Sequence, residues 1–191
     1  VNLHNFAGDP SFLREMLAYG LLREQGLPAS RCAYAQVFVN DSLLGLYLLV
    51  EEVDKRFCVA HFGEKGTLYN CSDNTELAWQ GADASAYTDE FKIEHDANNV
   101  GWKPLLDLID MVANDPGALF RQRLTERFDV DGYLRAMTID ALLNNWDSYH
   151  DNGRNFNLYH HSGDGRLYWV PWDYNLCLWQ RDMELIPRDG S

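Results

Sequence analysis

Short apolar runs alternate with polar punctuation along the chain, and the spacing within each run predicts its element. Phe12, Leu13, Met16, Leu17 and Leu21 recur at helical spacing behind Asp9-Pro10. An acidic N-cap followed by a proline opens such a helix, and Gly26 with Pro28 closes it. Residues 33–39 and 43–51 read as strands joined by Asn40-Asp41-Ser42, hence a hairpin. The nearly unbroken apolar character of 43–50 predicts a strand buried on both faces. A short helix over 53–62 comes next. Residues 70–100 are dominated by Asn, Asp, Ser, Ala and Gly, which predicts loops with one short strand near Phe91–Ile93.

Three helices are expected after that: about Trp102 to Ala113, one starting at Asp115-Pro116, and one from Asp129 to about Leu143. Val130, Tyr133, Leu134, Met137, Ala141 and Leu142 give the last a stripe that should face the core. A second hairpin follows, with strands 156–160 and 166–170 around the turn Ser162-Gly163-Asp164-Gly165. No segment repeats. The order helix, hairpin, loops, helices, hairpin defines an α+β chain.

Length and charge narrow the picture. The 191 residues, 46% of them hydrophobic, suffice for one domain with a single core. A formal charge of -13 argues against a nucleic-acid surface, which needs a basic patch. The same charge suits either a divalent cation or simple solubility. No apolar run reaches the roughly eighteen residues of a membrane span, and Val1 opens no leader pattern, which leaves secretion of a processed chain open. Cys32, Cys58, Cys71 and Cys177 are far apart without a CxxC pair; one or two disulfides and buried free thiols both fit.

The candidate chemistry lies in residues 144–175, NNWDSYHDNGRNFNLYHHSGDGRLYWVPWDYN. Asp147 follows a hydrophobic helix, with Asn152 five and Asn155 eight residues on, and Asp173 follows a strand in Pro171-Trp172-Asp173. Phosphoryl transfer needs such parts: one carboxylate orients a hydroxyl, while a second carboxylate and an amide oxygen hold Mg²⁺ against phosphates. Loop-forming Asp and Asn side chains are the plain alternative for each. Asp147, Asp151, Asn152 and Asn155 also offer the oxygens Ca²⁺ prefers, although their spacing is not that of an EF-hand.

DPSFLREMLAYGLLREQGLPA (9–29), VFVNDSLLGLYLLVEEVDKRF (37–57), NNWDSYHDNGRNFNLY (144–159) and YWVPWDYN (168–175) together resemble the CotH kinase family of atypical protein kinases, known from spore coats and secreted proteins. The resemblance covers nearly the whole chain. It implies an atypical protein-kinase-like fold, with a mostly helical C-lobe and a partial N-lobe of one helix plus a hairpin, shortened at its N-terminus relative to the family. It implies ATP and Mg²⁺ as cofactors and a Ser/Thr-rich protein as substrate, at the spore coat, at the cell surface or in secretion. A non-catalytic surface or coat-binding module that keeps the fold is the alternative.

By the same resemblance Asp147 is the catalytic residue, and Asp173 and Asn155 are metal ligands; Asn152, five residues after Asp147 as the metal-binding Asn is in protein-kinase catalytic loops, is a further candidate ligand. Arg154 is placed to neutralise phosphate charge. Trp172 is either a platform for the base or a half-buried core aromatic. Glu51 and Asp54 match the family's E-x-x-D pattern near the lobe linker, which makes Glu51 a candidate cofactor-binding residue beside Trp172 and Arg154; either residue would equally cap the helix that follows. Asn175 stands where the family often carries a second acidic residue, and Asn70 where it carries a lysine. Glu15 matches the carboxylate that pairs with an upstream lysine in kinases; with no such lysine in view, a solvated helix-face glutamate is expected.

Overall fold

The computed structural model describes residues 1–115 and 117–179. Thirteen residues of extended and turn structure precede the first helix: a short strand, β1 (Asn2–His4), comes first and the helix α1 (Arg14–Glu24) starts later than Asp9. Asp9 still organises that start. Its buried carboxylate accepts the N–H of Ser11 at 3.0 Å and of Arg14 at 2.9 Å, so it holds the whole lead-in rather than the first turn alone.

β2 (Cys32–Val39) and β3 (Ser42–Val50) form the expected hairpin, with Asn40 and Asp41 both at positive φ, as a two-residue turn of this hand requires. β1 pairs with β3 on its other side, giving an antiparallel sheet in the order β1-β3-β2. Burial on both faces of β3 is not observed. Leu43, Leu44 and Leu46 are exposed, while Leu48 and Val50, the residues opposite β1, are buried. The distal half of the hairpin extends past the residues that pair with β1.

The second sheet is antiparallel in the order β5-β4-β6-β7, built from β4 (Thr67–Cys71), β5 (Phe91–Asp96), β6 (Phe156–His160) and β7 (Leu167–Pro171). β4 falls partly within the stretch expected to be loop. Five helices accompany the sheets after α1: α2 (Lys55–Phe62), α3 (Lys103–Asn114), α4 (Phe120–Arg127), α5 (Val130–Leu142) and the single turn α6 (Tyr149–Asn152). Asp54 caps α2 through the N–H groups of Arg56 and Phe57, and Asp129 caps α5 through that of Gly132. Pro116, part of the expected start of α4, lies outside the described residues. The architecture is α+β, with two antiparallel sheets and six helices among the described residues.

Two apolar stripes read from spacing are rotated in the structure. α1 exposes Phe12, Leu13 and Leu17 at its start and buries Glu15, Ala18, Tyr19 and Leu22. α5 exposes Leu134 and Leu142 and buries Gly132, Ala136, Ile139 and Asp140. Each stripe is partly right: Met16 and Leu21, and Val130, Tyr133 and Met137, pack against the core, but the most buried face also carries a polar group, Glu15 or Asp140. The core that receives these faces runs from α1 and α5 through the inner faces of β6 and β7. There Phe156 stacks on Trp169 with ring centroids 4.1 Å apart, and Tyr149 of α6 meets both rings edge-on. That aromatic cluster anchors the segment between α5 and β6 to the sheet.

Candidate active site

Two residues past the end of α5, Asn144 takes a left-handed conformation (φ 48°) and turns the chain toward Asp147. Asp147 is only 9% exposed, yet both of its oxygens are occupied. Asn152 Nδ2 donates to Oδ1 at 3.1 Å, and Asn155 Nδ2 donates to Oδ2 at 3.1 Å and to the Asp147 carbonyl at 2.6 Å. Arg154 Nε lies 3.6 Å from Oδ1, and equally far from Asp73 on β4's outgoing loop. Three neighbours, Asn152, Asn155 and Arg154, therefore fix the orientation of one carboxylate.

The loop is closed by Gly153. It ends α6 with φ 59°, its carbonyl accepts the N–H of Thr75 at 2.6 Å, and a Cβ there would lie 2.5 Å from the Thr75 carbonyl oxygen. No residue with a side chain fits without moving that backbone.

Asp173 arrives from the end of β7. The N–H of Trp172 donates to the Asn155 carbonyl at 2.9 Å, tying the two loops together at the residue that already grips Asp147. Asp173 then turns with φ 50°, and its N–H donates to the hydroxyl of Tyr19, a fully buried residue of α1, at 3.0 Å. The Asp173 carboxylate itself accepts only the Asn175 N–H, at a long 3.4 Å, among the described residues. Burial first, and the charge of Glu15 second, push its carboxyl above the usual carboxylate range; the charge of Asp147 acts in the same direction. The two aspartates thus share one electrostatic neighbourhood.

Glu15 is not the solvated helix residue expected from sequence. It is 4% exposed, and His4 Nδ1 lies 2.8 and 2.9 Å from its two oxygens. That bond is the largest influence raising the His4 pKa. His4, Glu15 and Asp173 each place one ligand-type atom within 4.8 Å of the others.

Beside these loops a cleft of about 350 Å³ opens between the two sheets, lined among others by Asn2, Val53, Asn70, Arg154, Asn155 and Trp172. Three buried polar atoms on its wall, Asn2 Nδ2, Asn70 Oδ1 and Arg154 Nε, have no hydrogen-bond partner among the described residues. Trp172 is half-buried and meets the rings of His4 and Tyr19, so it belongs to both the cleft wall and the core edge. Glu51 does not line the cleft: both its oxygens engage the Arg31 side chain and its neighbour Glu52 takes the wall position. The E-x-x-D pattern resolves into an ion pair and a helix cap.

Of the residues singled out from sequence, Asp147, Asn152, Asn155 and Arg154 come together as one cluster, joined through Asn155 and Trp172 to Asp173. Asn152 and Asn155 gather on Asp147, whereas Asp173 gathers with Glu15 and His4. His4 and Tyr19 were missed. Tyr19 lies four residues after Glu15, one helical turn along the same face, and that i,i+4 pairing of polar atoms was the available signal. The four cysteines are free thiols, and burial pushes those of Cys32, Cys58 and Cys177 up to about 12. No helix among the described residues is long and apolar enough to cross a membrane.

An α+β fold whose inter-sheet cleft is flanked by two hydrogen-bonded, aspartate-bearing loops defines the class of protein. The chain belongs to the CotH kinase protein family, which it matches over residues 1–187. It is similar to the inner spore coat protein H of Bacillus subtilis (strain 168), with 26% identity over 185 residues. The match takes in 92% of this chain and 48% of the relative, so the chain spans about half the length of the curated relative it matches.

Proposed function

We propose that this chain is the catalytic region of an atypical protein kinase, transferring the γ-phosphoryl group of ATP to a Ser or Thr hydroxyl of a protein with Mg²⁺. In this reading the β1-β3-β2 sheet with α1 is the smaller lobe of a kinase-like fold, and the remaining helices with the four-stranded sheet are the larger one. The observation that supports it most is the Asn155 bridge. Its amide holds Asp147 and its carbonyl holds Trp172, so the two carboxylates a phosphoryl-transfer site requires are registered by one residue.

The residues present fit the cofactors. The Asn2 and Asn70 atoms on the cleft wall, without hydrogen-bond partners among the described residues, suit a polar ligand, since a buried polar atom without a partner costs about 1–3 kcal/mol. Asp173, nearly free of hydrogen bonds, and the Oδ1 of Asn155 would hold the metal, which when bound shields the phosphate charges. Asn152, by donating to Asp147, serves to orient that carboxylate. Asp147 accepts the proton of the substrate hydroxyl as the new O–P bond forms and the γ-phosphorus separates from the ADP oxygen. Arg154 faces the phosphates with positive charge, and the face of Trp172 offers a flat apolar surface to the base.

A second reading is a coat-binding module without turnover, at the spore coat. The printed name of the similar Bacillus subtilis protein favours it, as does Asn175 in place of a second acidic residue. Thermal unfolding with ATP plus Mg²⁺, and with Ca²⁺ alone, separates the readings. A nucleotide shift that needs Mg²⁺ and disappears in Asp173→Ala supports the kinase. No shift with nucleotide contradicts it and leaves the module.

A further inference from the structure

His4, Glu15 and Asp173 are brought together from β1, α1 and the loop after β7, three elements distant in sequence. One ligand atom from each lies within 4.8 Å of the other two. A single ion at about 2.0–2.2 Å from each ligand spans that spacing with small side-chain rotations. Glu15 is almost fully buried, and among the described residues no Lys, Arg or backbone N–H contacts its carboxylate; the imidazole is its partner. One imidazole, bonded to Glu15, thus stands beside two carboxylates. Even with His4 protonated, a negative charge is left over in a largely desolvated position, where an uncompensated charge is costly. Asn175, two residues after Asp173 and half-buried, keeps its Oδ1 without a hydrogen bond among the described residues.

We propose that His4, Glu15 and Asp173 bind a first-row transition-metal dication in the Mn²⁺–Zn²⁺ range. The donor set decides the class. Mg²⁺ takes oxygen ligands and keeps most of its waters, whereas an imidazole nitrogen beside two carboxylates suits Mn²⁺ and, by the usual order of affinities, Zn²⁺ more strongly. The site shares Asp173 with the phosphoryl-transfer reading but needs neither nucleotide nor turnover. It makes His4 a ligand, and Glu15 a ligand in place of an ion-pair partner.

The test uses the metal-free 191-residue chain without nucleotide, so its outcome is separate from that of the kinase reading. Mn²⁺-loaded protein examined by pulsed electron paramagnetic resonance should show coupling to an imidazole nitrogen, lost in His4→Gln. Calorimetric titration should show Zn²⁺ affinity weakened at least tenfold in His4→Gln and in Asp173→Asn, with the Mg²⁺ response of His4→Gln unchanged. Asp173→Asn leaves the His4–Glu15 pair intact, so it keeps the test valid if His4→Gln folds poorly. Absence of nitrogen coupling in the wild type, or Zn²⁺ affinity within twofold of wild type in both variants, overturns the proposal.

Discussion

The two aspartates at the cleft are held in opposite ways. Asp147 is saturated, with amide donors on both oxygens and Arg154 close by, and Gly153 locks its loop onto Thr75. Asp173 is positioned through its backbone, by Tyr19 on one side and Trp172 bonded to Asn155 on the other, while its carboxylate is left almost bare beside Glu15. A carboxylate fixed on both oxygens is set to act in one direction. A carboxylate fixed only through its main chain keeps its oxygens free for another partner. The difference teaches that the two loops divide orientation from charge, and that each can be disturbed alone.

The largest effect on stability should come from the Asp147 side. Gly153→Ala places a Cβ against the Thr75 backbone and in a left-handed conformation, at a cost of about 2–4 kcal/mol. Chemical denaturation should show that loss, while the metal response governed by Asp173 survives in the folded fraction. An undiminished midpoint would mean that the loop is not locked as described.

Asp140, buried in α5 and bonded to Asn145 and Tyr174, sits behind both loops. Burial pushes its carboxyl up to about 6 from an ordinary 3.8, so the folded state holds this proton more tightly than the unfolded chain. Its contribution to stability is therefore complete below the ordinary value and declines by about 3 kcal/mol as pH rises past 6. Asp140→Asn should remove that decline and raise stability at pH 8 relative to wild type, with little change at about pH 3, below the ordinary value. Parallel denaturation profiles for the two proteins across this range would refute the assignment.

The smallest effect belongs to the Asp173 side. Tyr19→Phe removes the acceptor for the Asp173 N–H and should cost about 1 kcal/mol. Its sharper readout is functional: metal-dependent binding should weaken while the Asp147 loop, probed by amide exchange at Thr75, stays protected. Equal loss of protection in both loops would erase the distinction between them.

Much of this was legible in the sequence where a local rule and the tertiary structure agree. Asn40-Asp41 demanded a tight turn, Asp54 and Asp129 capped helices, and the hairpin around Ser162–Gly165 lies within a residue of its expected bounds. Asp147, Asn155 and Asp173 stood out because carboxylates and amides are spaced around a hairpin for no packing reason. The failures have one physical source. α1 turns Glu15 and Tyr19 inward and α5 turns Asp140 inward, so polar atoms satisfied by partners elsewhere in the chain occupy faces that apolar periodicity assigns to solvent. β4 was hidden similarly: five residues with Thr67, Leu68 and Tyr69 all buried show no alternation to betray a central strand. His4 had no signal at all, since its meaning depends on a strand pairing formed with residues 48–50.

The account rests on Asp147 and Asp173 serving one reaction from two loops. Transfer of label from γ-phosphate-labelled ATP to a Ser-rich protein, measured for wild type and Asp147→Asn with Mg²⁺ present, tests that most directly. Incorporation by the wild type that falls about 10²–10⁴-fold in the variant, with thermal stability retained, is the predicted result. Equal incorporation by both proteins, or none by the wild type, would contradict it.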